Sequence, residues 1–172
     1  MKICIVSDSH DHRDMLATAV TQAKAEGAEA VLHCGDVVAP TALRPLQKLG
    51  LPVHVIHGNN MGDTYAMFML SQEPGSVIHY HGMDAGLELG GKRIFIVHYP
   101  HYAEAMALTG DWDIVCCGHD HRPAIRLIDH VKQGQTLYLN PGTVAGIGPC
   151  ASYLIGDLDS MVFEVRELNH CL

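Results

Sequence analysis

Lys2-Ile3-Cys4-Ile5-Val6-Ser7-Asp8-Ser9-His10 is the stretch on which the fold turns. Its apolar run has the length of a strand, and it gives way at once to Ser, Asp and His. The same passage recurs at residues 30–33, followed by Cys34-Gly35-Asp36, and at residues 53–56, followed by His57-Gly58-Asn59-Asn60. Stretches with helical spacing lie between. Residues 13–26 place Met15, Leu16, Ala19, Val20 and Ala23 on one face and stop at Gly27. Residues 41–49 read as a short helix closed by Gly50 and Pro52, and residues 64–70 as another. This strand–helix alternation predicts a parallel sheet covered by helices.

Strands dominate the remainder. Residues 77–79, 86–89 and 93–97 read as strands, with Gly90-Gly91 as the hairpin turn between the last two. Residues 102–108 read as a helix and 114–117 as a strand. Further strands are expected at 124–128, 136–139, 152–157 and 161–167, with turns at Gly134 and Asp159-Ser160. No repeat, low-complexity tract or linker interrupts the pattern. The expectation is an α/β fold with two mixed sheets packed face to face and helices outside, a four-layer αββα sandwich, in a single domain over residues 1–172.

Composition narrows the function. The 172 residues suit one compact domain, and 48% hydrophobic against 17% charged residues supply a core, which excludes a disordered chain. The longest apolar run, residues 65–70, falls far short of the roughly 18–20 residues of a membrane helix. The start of the chain lacks the features of a secretory signal, so a cytoplasmic location is expected. A net charge of −8 argues against general coating of nucleic acid. Bound cations would reverse that sign locally, so a phosphorylated substrate is not excluded. Of the six cysteines, Cys4, Cys116 and Cys117 sit in apolar runs and no C-x-x-C pair occurs. Buried thiols in a reducing compartment are expected rather than a disulfide framework.

The chain carries 13 scattered histidines, and their positions matter more than their number. Polar groups follow nearly every expected strand: Asp8 and His10, Asp36, Asn59 and Asn60, His98, His119 to His121, and Asn140. In parallel α/β sheets ligands bind beyond the carboxyl ends of strands, so these groups are expected to converge. In an extended segment residues i and i+2 share a side. Asp8 and His10 can then serve one ion, and His119 and His121 one ion or a close pair. Carboxylate and imidazole without cysteine suit Mn, Fe, Zn or Ni. Asp8, His10, Asp36, Asn59, His98, His119 and His121 are too many for one tetrahedral ion and about right for two ions sharing a carboxylate. Glycines before Asp36, Asn59 and His119 let the backbone turn and leave room for a ligand. Each motif alone is common. Polar caps at so many strand ends, in this order, would need several independent coincidences.

In that order, Asp8-Ser9-His10, Gly35-Asp36, Gly58-Asn59-Asn60, His98 and Gly118-His119-Asp120-His121 resemble the motifs of calcineurin-like metallophosphoesterases, over most of the chain. Asp8-Ser9-His10-Asp11-His12, Leu32-His33-Cys34-Gly35-Asp36 and Asn140-Pro141-Gly142 are most similar to the small prokaryotic phosphodiesterases of the YfcE type, relatives of the small vacuolar-sorting subunit of retromer. The resemblance implies one divalent ion on Asp8, His10, Asp36 and His121, and a second on Asp36, Asn59, His98 and His119, with Asp36 bridging. Manganese is the favoured metal, with nickel, iron and zinc as alternatives. It further implies hydroxide between the ions for in-line attack on phosphorus, and a small phosphodiester substrate. His10 and Asn60 are the candidates for orienting the phosphoryl group.

Three features depart from the family pattern. Histidine is common where Asn60 stands; with an amide there, diesters with good leaving groups are expected, and Asn60 keeps a hydrogen bond for the substrate. Met61 and Gly62 intervene before Asp63. Tyr99-Pro100-His101 follows His98 where glycine is usual, which makes Tyr99 a candidate for contacting substrate or for packing outward. His12, His33, His54, His57 and His101 are expected in loops or packing, and His79, His81, His130 and His170 at the surface. Asn140-Pro141-Gly142 is expected to support the site floor, and Trp112 to cover a sheet edge. The methionine-rich stretch 61–70 reads as a helix on the core or as a homodimer surface. The rival functions are a phosphomonoesterase and a retromer-subunit-like scaffold without useful catalysis.

Overall fold

The structure is a computed structural model that describes residues 1–168. In the first sheet, β1 (Lys2–Val6), β2 (Ala28–His33), β3 (Val53–Val55) and β4 (Ile78–Tyr80) run parallel. In the second, β5 (Asp84–Leu89) and β6 (Lys92–Val97) form a hairpin through Gly90-Gly91. Both glycines have positive φ, which a two-residue turn between twisted strands requires. β6, β7 (Ile114–Cys116) and β9 (Gly134–Asn140) are parallel, and β8 (Ala124–His130) closes the other edge antiparallel to β9. β10 (Ser152–Asp157) and β11 (Val162–Glu167) return to the first sheet, with β10 antiparallel to β1. The orders are β11-β10-β1-β2-β3-β4 and β5-β6-β7-β9-β8.

Side-chain alternation along the strands builds the layers. Ile3, Ile5, Ala30 and Leu32 meet Ile94, Ile96, Ile114, Leu137 and Leu139 in a core between the sheets. Cys4, Val6, Val31, Val53 and Val55 face the opposite way, against α1 (Arg13–Ala25), α2 (Arg44–Gln47) and α3 (Thr64–Gln72). The outer face of the second sheet packs Val97, Val115 and Tyr138 on Ala103 and Ala107 of α4 (Pro100–Leu108). The result is the four-layer αββα sandwich with two mixed sheets.

The structure revises some expectations. The helix at 41–49 is instead a 3-10 turn, Pro40–Leu43, running into α2. Pro45 has no N–H to reach the Thr41 carbonyl, and Arg44 N–H takes that carbonyl three residues on. In α3, Asp63 caps the helix by accepting from Ala66 N–H at 2.8 Å. Met67 and Leu70 enter the core, whereas Tyr65, Phe68 and Met69 are exposed. Trp112 lies across Gly86 of edge strand β5 and against Phe95. Cys4, Cys34, Cys116 and Cys117 are buried free thiols. Cys150 is disulfide-bonded, against the expectation of free thiols. Cys171 and His170 lie outside the described residues.

Candidate metal centre

Six strands deliver polar groups to one end of the two sheets. β1 leads into Asp8 and His10, β2 into Asp36, β3 into Asn59 and Asn60, β6 into His98 and β7 into His119 and His121. β9 ends in Asn140, whose amide donates to the Gly118 carbonyl (3.1 Å) and to Asp120 (2.8 Å). Asn140 thereby props the loop that carries His119 and His121.

The local backbone is costly. Asp8, His10, Asp36, His119 and His121 all have left-handed φ, between 40° and 74°. Residues with a Cβ pay about 1–2 kcal/mol each for that region, and such strain persists where surrounding contacts over-determine it. Here the contacts are visible. Asp8 N–H donates to the Gly35 carbonyl (3.0 Å), His10 N–H to the Asp36 carbonyl (2.9 Å), and the Thr143 hydroxyl to the Asp8 carbonyl (2.9 Å). The neighbouring glycines are needed for space. A Cβ at Gly58 would lie 2.1 Å from Asp36 Oδ1 and 2.7 Å from the His98 ring, and one at Gly118 would collide with Ser7 and Asp8.

Asp8 is fully buried. Its Oδ2 accepts from His119 N–H at 3.0 Å, while Oδ1 has no hydrogen-bond donor among the described residues. Three imidazole Nε2 atoms surround that oxygen instead: His121 at 3.2 Å, His10 at 3.8 Å and His98 at 4.0 Å. Asp36 faces His98 Nε2 from Oδ1 (3.4 Å) and His10 Nε2 from Oδ2 (3.8 Å). Asn59 Oδ1 sits 3.1 Å from His98 Nε2 and 2.9 Å from His119 Nδ1. The ligand atoms of Asp8, His10 and His121 lie within 4.8 Å of one another, and so do those of Asp8, Asp36 and His98. Asp8 is common to both groups, and Asp36 also faces both sides, with Oδ1 toward His98 and Oδ2 toward His10.

Two imidazoles are turned by bonds on their far side. His98 Nδ1–H donates to the Cys34 carbonyl (2.8 Å) and His121 Nδ1–H to the Ile147 carbonyl (2.9 Å), which leaves Nε2 of each for the carboxylates. His10 and His121 bring their Nε2 atoms within 3.4 Å of each other. Burial opposes charge on both Asp36 and His98, and local partners overcome it. His98 and the two Asn60 donors hold the Asp36 carboxyl well below the usual range. Asp36, the Cys34 carbonyl and Asp8 raise His98. The residues fit a divalent cation: an orphaned buried carboxylate oxygen, a second carboxylate and imidazoles with oriented Nε2 atoms form a hard-to-borderline donor set.

The sequence profile of the calcineurin-like phosphoesterase superfamily domain matches residues 1–161. The chain belongs to the calcineurin-like phosphoesterase superfamily. Among curated relatives of this phosphoesterase, phosphodiesterase MJ0936 of Methanocaldococcus jannaschii is 29% identical, the match covering 98% of each chain. The probable metallophosphoesterase YsnB of Bacillus subtilis is 27% identical over 96% of this chain and 89% of its own. A solved archaeal phosphodiesterase superposes with a TM-score of 0.87 at 25% identity, over 98% of this chain and all of that one. YfcE of E. coli shares the fold with a TM-score of 0.69 at 22% identity, over 98% and 94% of the two chains.

The departures from the superfamily pattern now have positions. Asn60 turns its amide onto Asp36, donating from Nδ2 to Oδ2 (2.6 Å) and from its backbone N–H to Oδ1 (2.9 Å). Tyr99 does not pack away from the centre; its ring centroid lies 4.9 Å from that of His119 and 5.4 Å from that of His98. His33 is a buried packing histidine. Gly35 N–H donates to its Nδ1 (3.3 Å), so Nε2 carries the proton and meets Ser9 Oγ at 3.0 Å. Thr143 and the Cys34 and Ile147 carbonyls support the phosphoesterase centre without any motif to announce them.

Proposed function

We propose that this chain is a metal-dependent phosphodiesterase whose two cations are held by Asp8, His10, Asp36, Asn59, His98, His119 and His121. The observation that carries the reading is Asp8 Oδ1, a buried carboxylate oxygen with no hydrogen-bond donor among the described residues and three imidazole nitrogens around it. Leaving such an atom without a partner costs several kcal/mol, and a cation satisfies it. Divalent ions bound here supply a Lewis acid for phosphoryl oxygens and activate water for attack on phosphorus.

The chain's own residues do the rest. Asn60 holds the Asp36 carboxylate in one orientation through both of its oxygens. The second hydrogen of its amide and the partly exposed ring of His10 are the groups we assign to orienting a phosphoryl group. An amide cannot protonate a leaving oxygen at neutral pH. Activated diesters are therefore the favoured substrates over monoesters with poor leaving groups. Relatives bearing the name phosphodiesterase support the diester reading. Manganese is the first choice of metal, with nickel, iron and zinc as alternatives for this donor set. Four buried free thiols support a cytoplasmic location, with the Cys150 disulfide standing against it. The exposed Tyr65, Phe68 and Met69 support a homodimer through α3.

The test is hydrolysis of bis(p-nitrophenyl) phosphate beside p-nitrophenyl phosphate by protein stripped with chelator and reloaded with Mn²⁺, Ni²⁺ or Zn²⁺. Diester cleavage restored by metal and lost in Asp36→Asn is the expected result. Wild-type activity in that variant at equal metal occupancy would overturn the ligand assignment. Two tightly bound ions with no turnover would favour the scaffold reading.

A further inference from the structure

A cavity of about 430 Å³ opens directly off the metal centre. Its lining shares Asn59 and His98 with that centre and adds His57, Met61, Met83, Tyr99 and Tyr102. Tyr99 stands edge-on to Tyr102 with centroids 5.9 Å apart, and edge-on to His98 and His119 on its other side. Among the described residues the lining contains no Lys or Arg, and Asp84 is its one carboxylate. A second hollow, of about 520 Å³, lies beyond His10 at the start of α1, and none of the seven proposed ligands lines it.

Three properties of the first cavity point to one kind of occupant. Because Asn59 and His98 belong to both the proposed centre and the cavity, a group attached to a phosphoryl held at that centre would lie at the cavity. Aromatic and thioether walls favour a flat ring, through apolar burial and through ring-edge and sulfur contacts. With no Lys or Arg in the described lining to meet it and the Asp84 carboxylate present, an arm that carries further negative charge is disfavoured. We infer that this cavity receives a neutral aromatic ring carried on one ester arm of the phosphodiester, with Tyr99, Tyr102, Met61 and Met83 as specificity-determining residues. The inference rests on the phosphodiesterase reading and adds the chemistry of the arm. A nucleobase and a simple aryl group both present such a ring.

The test measures binding, so that it does not depend on turnover. Calorimetry on the Mn²⁺-loaded protein compares phenylphosphonate with methylphosphonate, which share the phosphoryl head and differ in the ring. Met83 and Tyr102 are 67% and 55% exposed, so replacing both by Ala leaves the core intact. Phenylphosphonate is expected to bind the wild type about tenfold more tightly than methylphosphonate. That advantage is expected to shrink to about threefold or less in Met83→Ala/Tyr102→Ala, to persist in Tyr102→Phe, and to leave methylphosphonate affinity unchanged. No preference for the phenyl compound, or a preference untouched by the double variant, would overturn the pocket while methylphosphonate binding keeps the phosphoesterase centre. Binding of neither compound would overturn the centre and the pocket together. Thymidine 5′-phosphate against ribose 5-phosphate separates the two sources of the ring. A base-dependent gain that the double variant removes supports a nucleoside arm, and equal binding of the pair removes nucleosides from the proposal.

Discussion

Asn60 grips both oxygens of Asp36, one from its backbone N–H and one from its side-chain amide. The amide bond is removable and the backbone bond is not. In Asn60→Ala the carboxylate keeps Oδ1 anchored and loses the clamp on Oδ2. Mn²⁺ affinity or diester kcat/KM is expected to fall about 10–100-fold, the usual scale for a group that orients a ligand. Calorimetric titration with Mn²⁺ beside the diester rate checks it. A variant within twofold of wild type in both would mean that Asp36 is held by the rest of the site.

Gly58→Ala is expected to do more harm than its size suggests. The new methyl would sit inside contact distance of Asp36 and His98 at once, so one of them must move. Loss of Mn²⁺ binding by about 100-fold is expected, because at least one proposed ligand is displaced. A far-ultraviolet circular dichroism spectrum unchanged from wild type would show that the damage is local.

Asp8→Asn is expected to separate stability from metal binding. In the chelated protein Asp8 Oδ1 is a buried carboxylate oxygen without a donor among the described residues, so the amide isostere is expected to raise the melting temperature. Adding Mn²⁺ should raise the melting temperature of the wild type, since a ligand of the folded state alone stabilises it, and leave the variant unmoved. Equal metal-induced shifts in the two proteins would exclude Asp8 as a ligand.

Acid should weaken the metal-free fold through histidines as well as carboxylates. Burial and the charge of His98 push His33 down to about 3, and burial with His81 and His79 pushes His54 down to about 4, from an ordinary value of 6.5. Between those values the unfolded chain binds protons that the folded chain refuses. Stability therefore rises with pH across that window and is lost as pH falls from about 6.5 towards 3. Urea midpoints of chelated protein from pH 7.5 to 4 should fall, and His33→Gln should flatten the decline. An identical slope in the variant would assign the acid loss elsewhere.

The strand-end chemistry was legible because each apolar run stops where the polar residues begin, and parallel sheets gather such ends on one side. Asp8, Asp36 and His98 could be found that way. What supports them could not. The carbonyls of Cys34 and Ile147 do their work with backbone atoms that every residue carries, so no side-chain pattern marks them. The left-handed φ of Asp8, His10, Asp36, His119 and His121 was hidden for a related reason: glycine announces such a conformation and Asp or His does not. Spacing also favoured one helix over 41–49, and only the missing N–H of Pro45 breaks it. The pairing of β10 beside β1 depends on contacts about 150 residues apart in sequence, beyond the reach of local periodicity.

That pairing has a consequence for synthesis. Asp8 precedes His119 and Thr143 by 111 and 135 residues in order of synthesis, yet the donors to its side chain and its carbonyl come from them, and β1 gains one of its two neighbours only when Ser152–Asp157 arrives. A nascent chain halted before His98 owns Asp8, His10, Asp36 and Asn59 and can form the bonds among Asp8, Gly35, Asp36 and Asn60, but it lacks the donors to Asp8 Oδ2 and to the Asp8 carbonyl. The proposed centre is thus assembled late, after the second sheet and β10 have been made.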